Sequence, residues 1–159
     1  EEKSAGAKQP VAAASAAASG IYAIQRLDLA PGDTIAQGEE LRLAGDVFSP
    51  DGRAPVVLVG IVRADGTPVY GVATDMDGVA PRRIAEDRYA FALTLPRLEL
   101  LPGKYFVRVH ALDPEGVRLF DHVERALVVT GETREMGMVR LAHRWNEIDP
   151  AACGDGPPR

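Results

Sequence analysis

Cysteine is almost missing from this sequence of 159 residues. Cys153 stands alone, in a Gly/Pro-rich stretch near the end, and can close no intrachain disulfide. That fits a reducing compartment, although a periplasmic domain built without disulfides would look the same. Long apolar runs are also missing: none approaches the ~20 residues needed to span a bilayer. Nor is there a basic excess. With 18 Lys and Arg against 23 Asp and Glu, the net charge is −5, which excludes whole-chain attraction for nucleic acid or an anionic membrane. The catalytic signatures are absent too. There is no GxxxxGK[ST] phosphate loop, no CxxC, no HExxH and no GxSxG. Ser49 is the only serine between residues 21 and 146 and sits in a turn, a poor place for a nucleophile. No catalytic centre emerges.

What is present is ordinary globular material, 46% hydrophobic and 26% charged. The length suits one domain with a real core. Residues 1–20 are dominated by Ala, Ser, Lys and Glu and read as a linker. The run VAAASAAAS has no wide apolar stripe to bury, and the opening EEKSAG is unlike a secretory signal. The first residue is Glu rather than Met, as expected of a piece of a longer protein. Residues 21–146 read as the folded domain and residues 147–159 as a flexible tail.

Within 21–146, short strands recur about every ten residues between turns. Pro55 to Asp75 is the central pair: Val56 to Ala64 is a near-continuous β-branched run, as in a strand central to its sheet. Asp65-Gly66 makes the hairpin turn, and Pro68 to Thr74 returns, with Gly71 where a backbone or ligand could come close. Ile21 to Leu29 precedes the pair. Glu40 to Phe48 alternates Leu41, Leu43 and Val47 inward with Arg42 and Asp46 outward. After a polar loop from Asp75 to Asp87, Tyr89 to Leu95, Lys104 to Leu112 and Arg118 to Thr130 follow. Met136 to Trp145 reads as a last amphipathic strand. Seven to eight strands at this spacing and no convincing helix predict an all-β fold, an immunoglobulin-like antiparallel sandwich of about eight strands. Its core should hold Leu41, Leu43, Val59, Ile61, Phe91, Leu93, Tyr105, Val107 and Val109. Tyr105, two residues after Pro102-Gly103, is placed to send its hydroxyl back to the preceding corner.

Several residues invite a sharper reading than they support. His110, His122 and His143 lie on three strands without metal-ligand spacing, and read as isolated face histidines. Asp75 to Gly78 (DMDG) opens like a calcium loop but lacks the third acidic position and the distal Glu. Arg82-Arg83 reads as solvated loop. Trp145 reads as a core or interface anchor. No metal and no cofactor are expected.

The chain resembles one family. It carries Gly60-Ile61 before the DG turn, Tyr70-Gly71 followed by Thr74, Pro102-Gly103-x-Tyr105, Asp121 leading into the penultimate strand, Gly137-x-Val139 and a closing Trp145. Their order over Ile21 to Trp145 resembles the C-terminal carbohydrate-binding domain of O-antigen ABC-transporter ATP-binding proteins, the Wzt type. The resemblance implies a module tethered behind a nucleotide-binding domain on the cytoplasmic side, beside the transporter's membrane subunit. It further implies recognition of a finished O-polysaccharide, often at its non-reducing end, and homodimers that exchange C-terminal strands. The phosphate loop is not in this chain, so ATP binding is not assigned to it and no enzymatic activity is expected.

Sugars need hydrogen bonds and a shelf for their C–H face. Phe106, Arg108 and His110 point opposite to the core set, and so do Arg88, Ala90, Ala92 and Thr94. If the strands are neighbours, Tyr70, Thr74, Arg108 and His110, with Asp75 just beyond, line one shallow groove. A structural or protein-interaction sandwich without glycan binding is the alternative. It would need no polar face.

Overall fold

The computed structural model describes residues 20–146, and the linker and tail read from the sequence lie outside them except Gly20. Among the described residues nine strands follow one another: β1 Ala23–Ala30, β2 Thr34–Ala36, β3 Leu41–Phe48, β4 Val56–Arg63, β5 Pro68–Ala73, β6 Arg82–Ala85, β7 Arg88–Leu95, β8 Gly103–Leu112 and β9 Leu119–Thr130. They form two sheets, β1-β3-β7-β6 and β2-β9-β8-β4-β5. The all-β, immunoglobulin-like sandwich read from the sequence is the fold. Among the described residues, no helix is long and apolar enough to cross a membrane.

Alternation builds the core. On β8, Tyr105, Val107, Val109 and Ala111 turn inward and meet Ile61, Val59 and Val57 of β4 in register. The four-stranded sheet supplies the other layer, with Leu41, Leu43 and Val47 of β3 beside Leu27 of β1 and Phe91 and the partly buried Leu93 of β7. All nine expected core residues lie in this cluster or pack against it. One glycine is imposed by that packing. Gly45 pairs with Phe91, and a Cβ there would overlap the Arg26 carbonyl oxygen and stand 2.5 Å from Phe91 Cζ. The ring fills the space that a side chain would take.

Both ends are pinned by tyrosine hydroxyls. Tyr105 donates to the Leu101 carbonyl at 2.6 Å, the corner bond its position predicts. At the other end, Tyr22 donates to Asp51 at 2.6 Å, and Asp51 also accepts from Ser49, the Arg53 amide and Arg53 Nε. Partial burial alone would raise the Asp51 pKa. These hydrogen bonds favour its ionised form and win, holding it far below the usual carboxylate range. Burial and the Asp51 carboxylate push Tyr22 up to about 12.

Four details depart from the expectation. The polar loop holds an edge strand, β6, so Arg82 and Arg83 stand on a sheet rather than in a loop. A ninth strand, β2, runs parallel to β9. Met136 to Trp145 is not a strand: only Leu100 and Val139 bridge, flanked by bonds from Leu101 N to Met138 O and Arg140 N to Glu99 O. It does not extend the sheet beside β9, which is already paired with β8 on one edge and with β2 on the other. Trp145 is therefore no core residue; it is 92% exposed.

Candidate functional site

Strand register divides the expected groove. On β8 the outward residues are Lys104, Phe106, Arg108 and His110. Beside Arg108 stand Gly60 of β4 and Glu124 of β9, and beside His110 stand Leu58 and His122. Gly60 in turn pairs with Gly71 of β5. Tyr70, however, pairs with Ile61, an inward residue. It lines a groove of about 230 Å³ at the open side of the sandwich, with Val69, Leu95, Leu98 and Leu100. Thr74 also faces the space between the sheets, where its Oγ1 accepts from the Val57 amide at 3.2 Å. Asp75 lies against the Gly116 turn, 2.7 Å from where a Cβ would sit. Arg108 and His110 thus share one face, and Tyr70, Thr74 and Asp75 do not join them. The outward residues Ala90, Ala92 and Thr94 are farther still, because β7 belongs to the other sheet.

The outer face of the five-stranded sheet has a distinct centre. Gly60 and Gly71 sit side by side without side chains. Nothing in the packing forces that: a Cβ on Gly60 would meet its nearest atoms at 3.6 and 3.8 Å, and one on Gly71 at 3.9 Å. These are ordinary contacts. The two glycines leave a flat floor of bare backbone, walled on one side by Arg108. Its Nε and Nη2 both reach Glu124 Oε2 at 2.8 Å. Both partners are about one-third exposed, so the guanidinium is held in place while part of it faces solvent.

Next along the face, the His110 and His122 rings stack, with centroids 5.7 Å apart and planes 30° from parallel. Burial lowers the His110 pKa, and the neighbouring His122 and Arg108 lower it further against the opposing pull of Glu124. These two histidines are not the isolated residues that the sequence suggested, whereas His143 stands apart and exposed. The arrangement offers charged and neutral hydrogen-bonding groups beside an open shelf, and no nucleophile–base pair.

A family model described as the Wzt C-terminal domain matches residues 21–141. The chain belongs to this family. It is the C-terminal domain of Wzt-type O-antigen ABC-transporter ATP-binding proteins, a non-catalytic part of a transporter subunit. No curated protein matches this Wzt C-terminal domain. Among solved structures, it is similar to the soluble domain of PmoD from Methylocystis sp. ATCC 49242 (Rockwell), at 18% identity and a TM-score of 0.35. That match covers 62% of this chain and 79% of the other. It is also similar to the CARDB domain of the PF1109 protein from Pyrococcus furiosus, solved with di-metal ions, at 13% identity and a TM-score of 0.37. Here 69% of this chain and 85% of the other are covered. Neither likeness bears on the chemistry of this Wzt C-terminal domain.

Proposed function

We propose that this domain binds a finished O-antigen polysaccharide, at its non-reducing end, and so admits it to export by the ABC transporter. Membership of the Wzt C-terminal family carries the reading. The outer face of the five-stranded sheet supports it: Gly60 and Gly71 make a shelf that the packing does not require, and Arg108 and His110 stand beside it. A pyranose ring laid on bare backbone can approach closely, and its hydroxyls then reach the guanidinium, Glu124 and the imidazoles. Tyr70, Thr74 and Asp75 take no part on this face; Tyr70 belongs to the groove at the open side. In the parent protein the domain follows a nucleotide-binding domain and works on the cytoplasmic side, peripheral to the inner membrane.

The same reading includes a homodimer that exchanges C-terminal segments. Met136, Leu141 and Trp145 are 96, 73 and 92% exposed, apolar surface that a second copy would cover. Cutting the chain after Gly131 should turn the dimer into a monomer in sedimentation. A full-length monomer at micromolar concentration would sink the exchange.

Titration with the purified polysaccharide of the same cell tests the binding. Wild type should bind without ATP, weakly per site. Arg108→Ala should weaken binding about tenfold or more, the effect of losing one charge-assisted contact of ~1.5–3 kcal/mol. Equal affinities would remove Arg108 from the site. No binding by wild type would overturn the function and leave a structural sandwich.

A further inference from the structure

His110 and His122 occupy directly opposed positions on two antiparallel strands, each six residues from Gly116 in the connecting turn. Their rings stack 5.7 Å apart with planes 30° from parallel, so one ring must turn about χ2 before an in-plane lone pair of each reaches a common ion. Among the described buried side-chain nitrogens and oxygens, His110 Nδ1 is the one without a hydrogen-bond partner. No protein hydrogen bond therefore holds the His110 ring by this nitrogen.

We propose that His110 and His122 clip a first-row divalent transition-metal ion between them on the outer face of the five-stranded sheet. Metal–nitrogen bonds of about 2.0–2.1 Å to one nitrogen of each ring place the two centroids roughly 5–6 Å apart, and the observed separation is 5.7 Å. The χ2 torsion of histidine is soft and two-fold, so a ring can turn to bring either nitrogen to the ion without moving the strands. Two opposed strands of a packed sheet hold the ligands in register before the ion arrives. Nitrogen ligation of this kind suits copper, nickel and zinc, with copper bound most tightly. Glu124 is engaged by Arg108, so two protein ligands hold the ion and its remaining positions, on the open side, take water. The clip does not depend on glycan binding.

Calorimetric titration of the tag-free domain at pH 7.5 with CuCl2, NiCl2 and ZnCl2 tests it. One equivalent should bind at the pair, with copper tightest and affinity in the micromolar range. His110→Asn and His122→Asn should each weaken that binding at least tenfold. His143→Asn should leave it unchanged, since His143 lies outside the pair. Thermal melting of each variant in EDTA separates loss of ligand from loss of fold, and bound copper should raise the wild-type midpoint but not that of either pair variant. If no metal binds below about 100 μM (about −5.5 kcal/mol), or if binding survives both pair variants, the clip does not exist.

Discussion

Gly45 and Gly60 are both mid-strand glycines, and they mean opposite things. Gly45 faces the core in the four-stranded sheet, where the Phe91 ring lies across it and the Arg26 carbonyl closes the remaining space. Gly60 faces outward in the five-stranded sheet, with van der Waals room for a methyl group and Gly71 beside it. The first glycine is dictated by packing. The second is not; under the function proposed above it keeps the backbone bare for a sugar ring beside Arg108. Both outer faces hold an arginine in an ion pair, Arg26 with Asp46 at 3.0 and 3.1 Å and Arg108 with Glu124 at 2.8 Å; the bare backbone of Gly60 and Gly71 lies beside Arg108.

The largest effects should fall on the packed side. Phe91→Ala should cost roughly 3–5 kcal/mol, read by urea unfolding. Gly45→Ala should cost about 1–3 kcal/mol through overpacking. In the Phe91→Ala background the second cost should shrink without vanishing, because the ring is gone and the Arg26 carbonyl remains. Additive costs would show that the ring and the glycine are not coupled.

The pinned ends come next. Tyr105→Phe should lose about 0.5–1.5 kcal/mol, the net worth of one hydrogen bond. Asp51 contributes through linkage. Its folded pKa is depressed, so its contribution is present above the unfolded carboxylate value, near 3.9, and is lost as pH falls below that value toward the folded one. Asp51→Asn should lower stability at neutral pH and flatten the acid limb below about pH 4. Tyr22 has the opposite sign: its contribution is full below pH ~10 and disappears as pH rises through about 12. An acid limb unchanged in Asp51→Asn would remove the carboxylate from the pin.

Much of this was legible in the sequence. Leu41, Leu43 and Val47 declare their face by alternation, and Tyr105 follows Pro102-Gly103 at the distance the corner needs. The Asp65-Gly66 turn forms as read, with Gly66 at φ +86°. The grouping of site residues was less legible, although part of it could have been found. Counting back from the Asp65-Gly66 turn puts Tyr70 opposite Ile61, whose inward direction was already clear. Tyr70 could not then share a face with Arg108. Counting outward from Gly116 likewise brings His122 opposite His110. What alternation cannot tell is which strands belong to the same sheet, and that is how the outward residues of β7 came to be set beside those of β8. The Met136 to Trp145 pattern misled for a related reason. Alternation marks a candidate strand but not the edge it would join, and both sides of β9 are taken, by β8 and β2.

The smallest stability effect gives the sharpest contrast. Gly60→Ala adds a methyl group where the nearest atoms, the Tyr70 and Arg108 carbonyl oxygens, are 3.6 and 3.8 Å away. No neighbour must move. Glycine in a strand interior is less favourable than alanine by roughly 0.5–1 kcal/mol, because the unfolded chain is freer. Gly60→Ala should therefore leave stability unchanged or raise it by up to that amount, opposite in sign to Gly45→Ala. Affinity for the polysaccharide should move the other way, because the methyl group lifts a sugar ring off the backbone and away from Arg108. Gly71→Val, with a larger side chain, should weaken binding further at similar stability. Urea unfolding and polysaccharide titration on the same samples read both quantities. If either variant is destabilised like Gly45→Ala, the glycines are there for packing after all; if both bind as well as wild type, the shelf is not where the glycan rests.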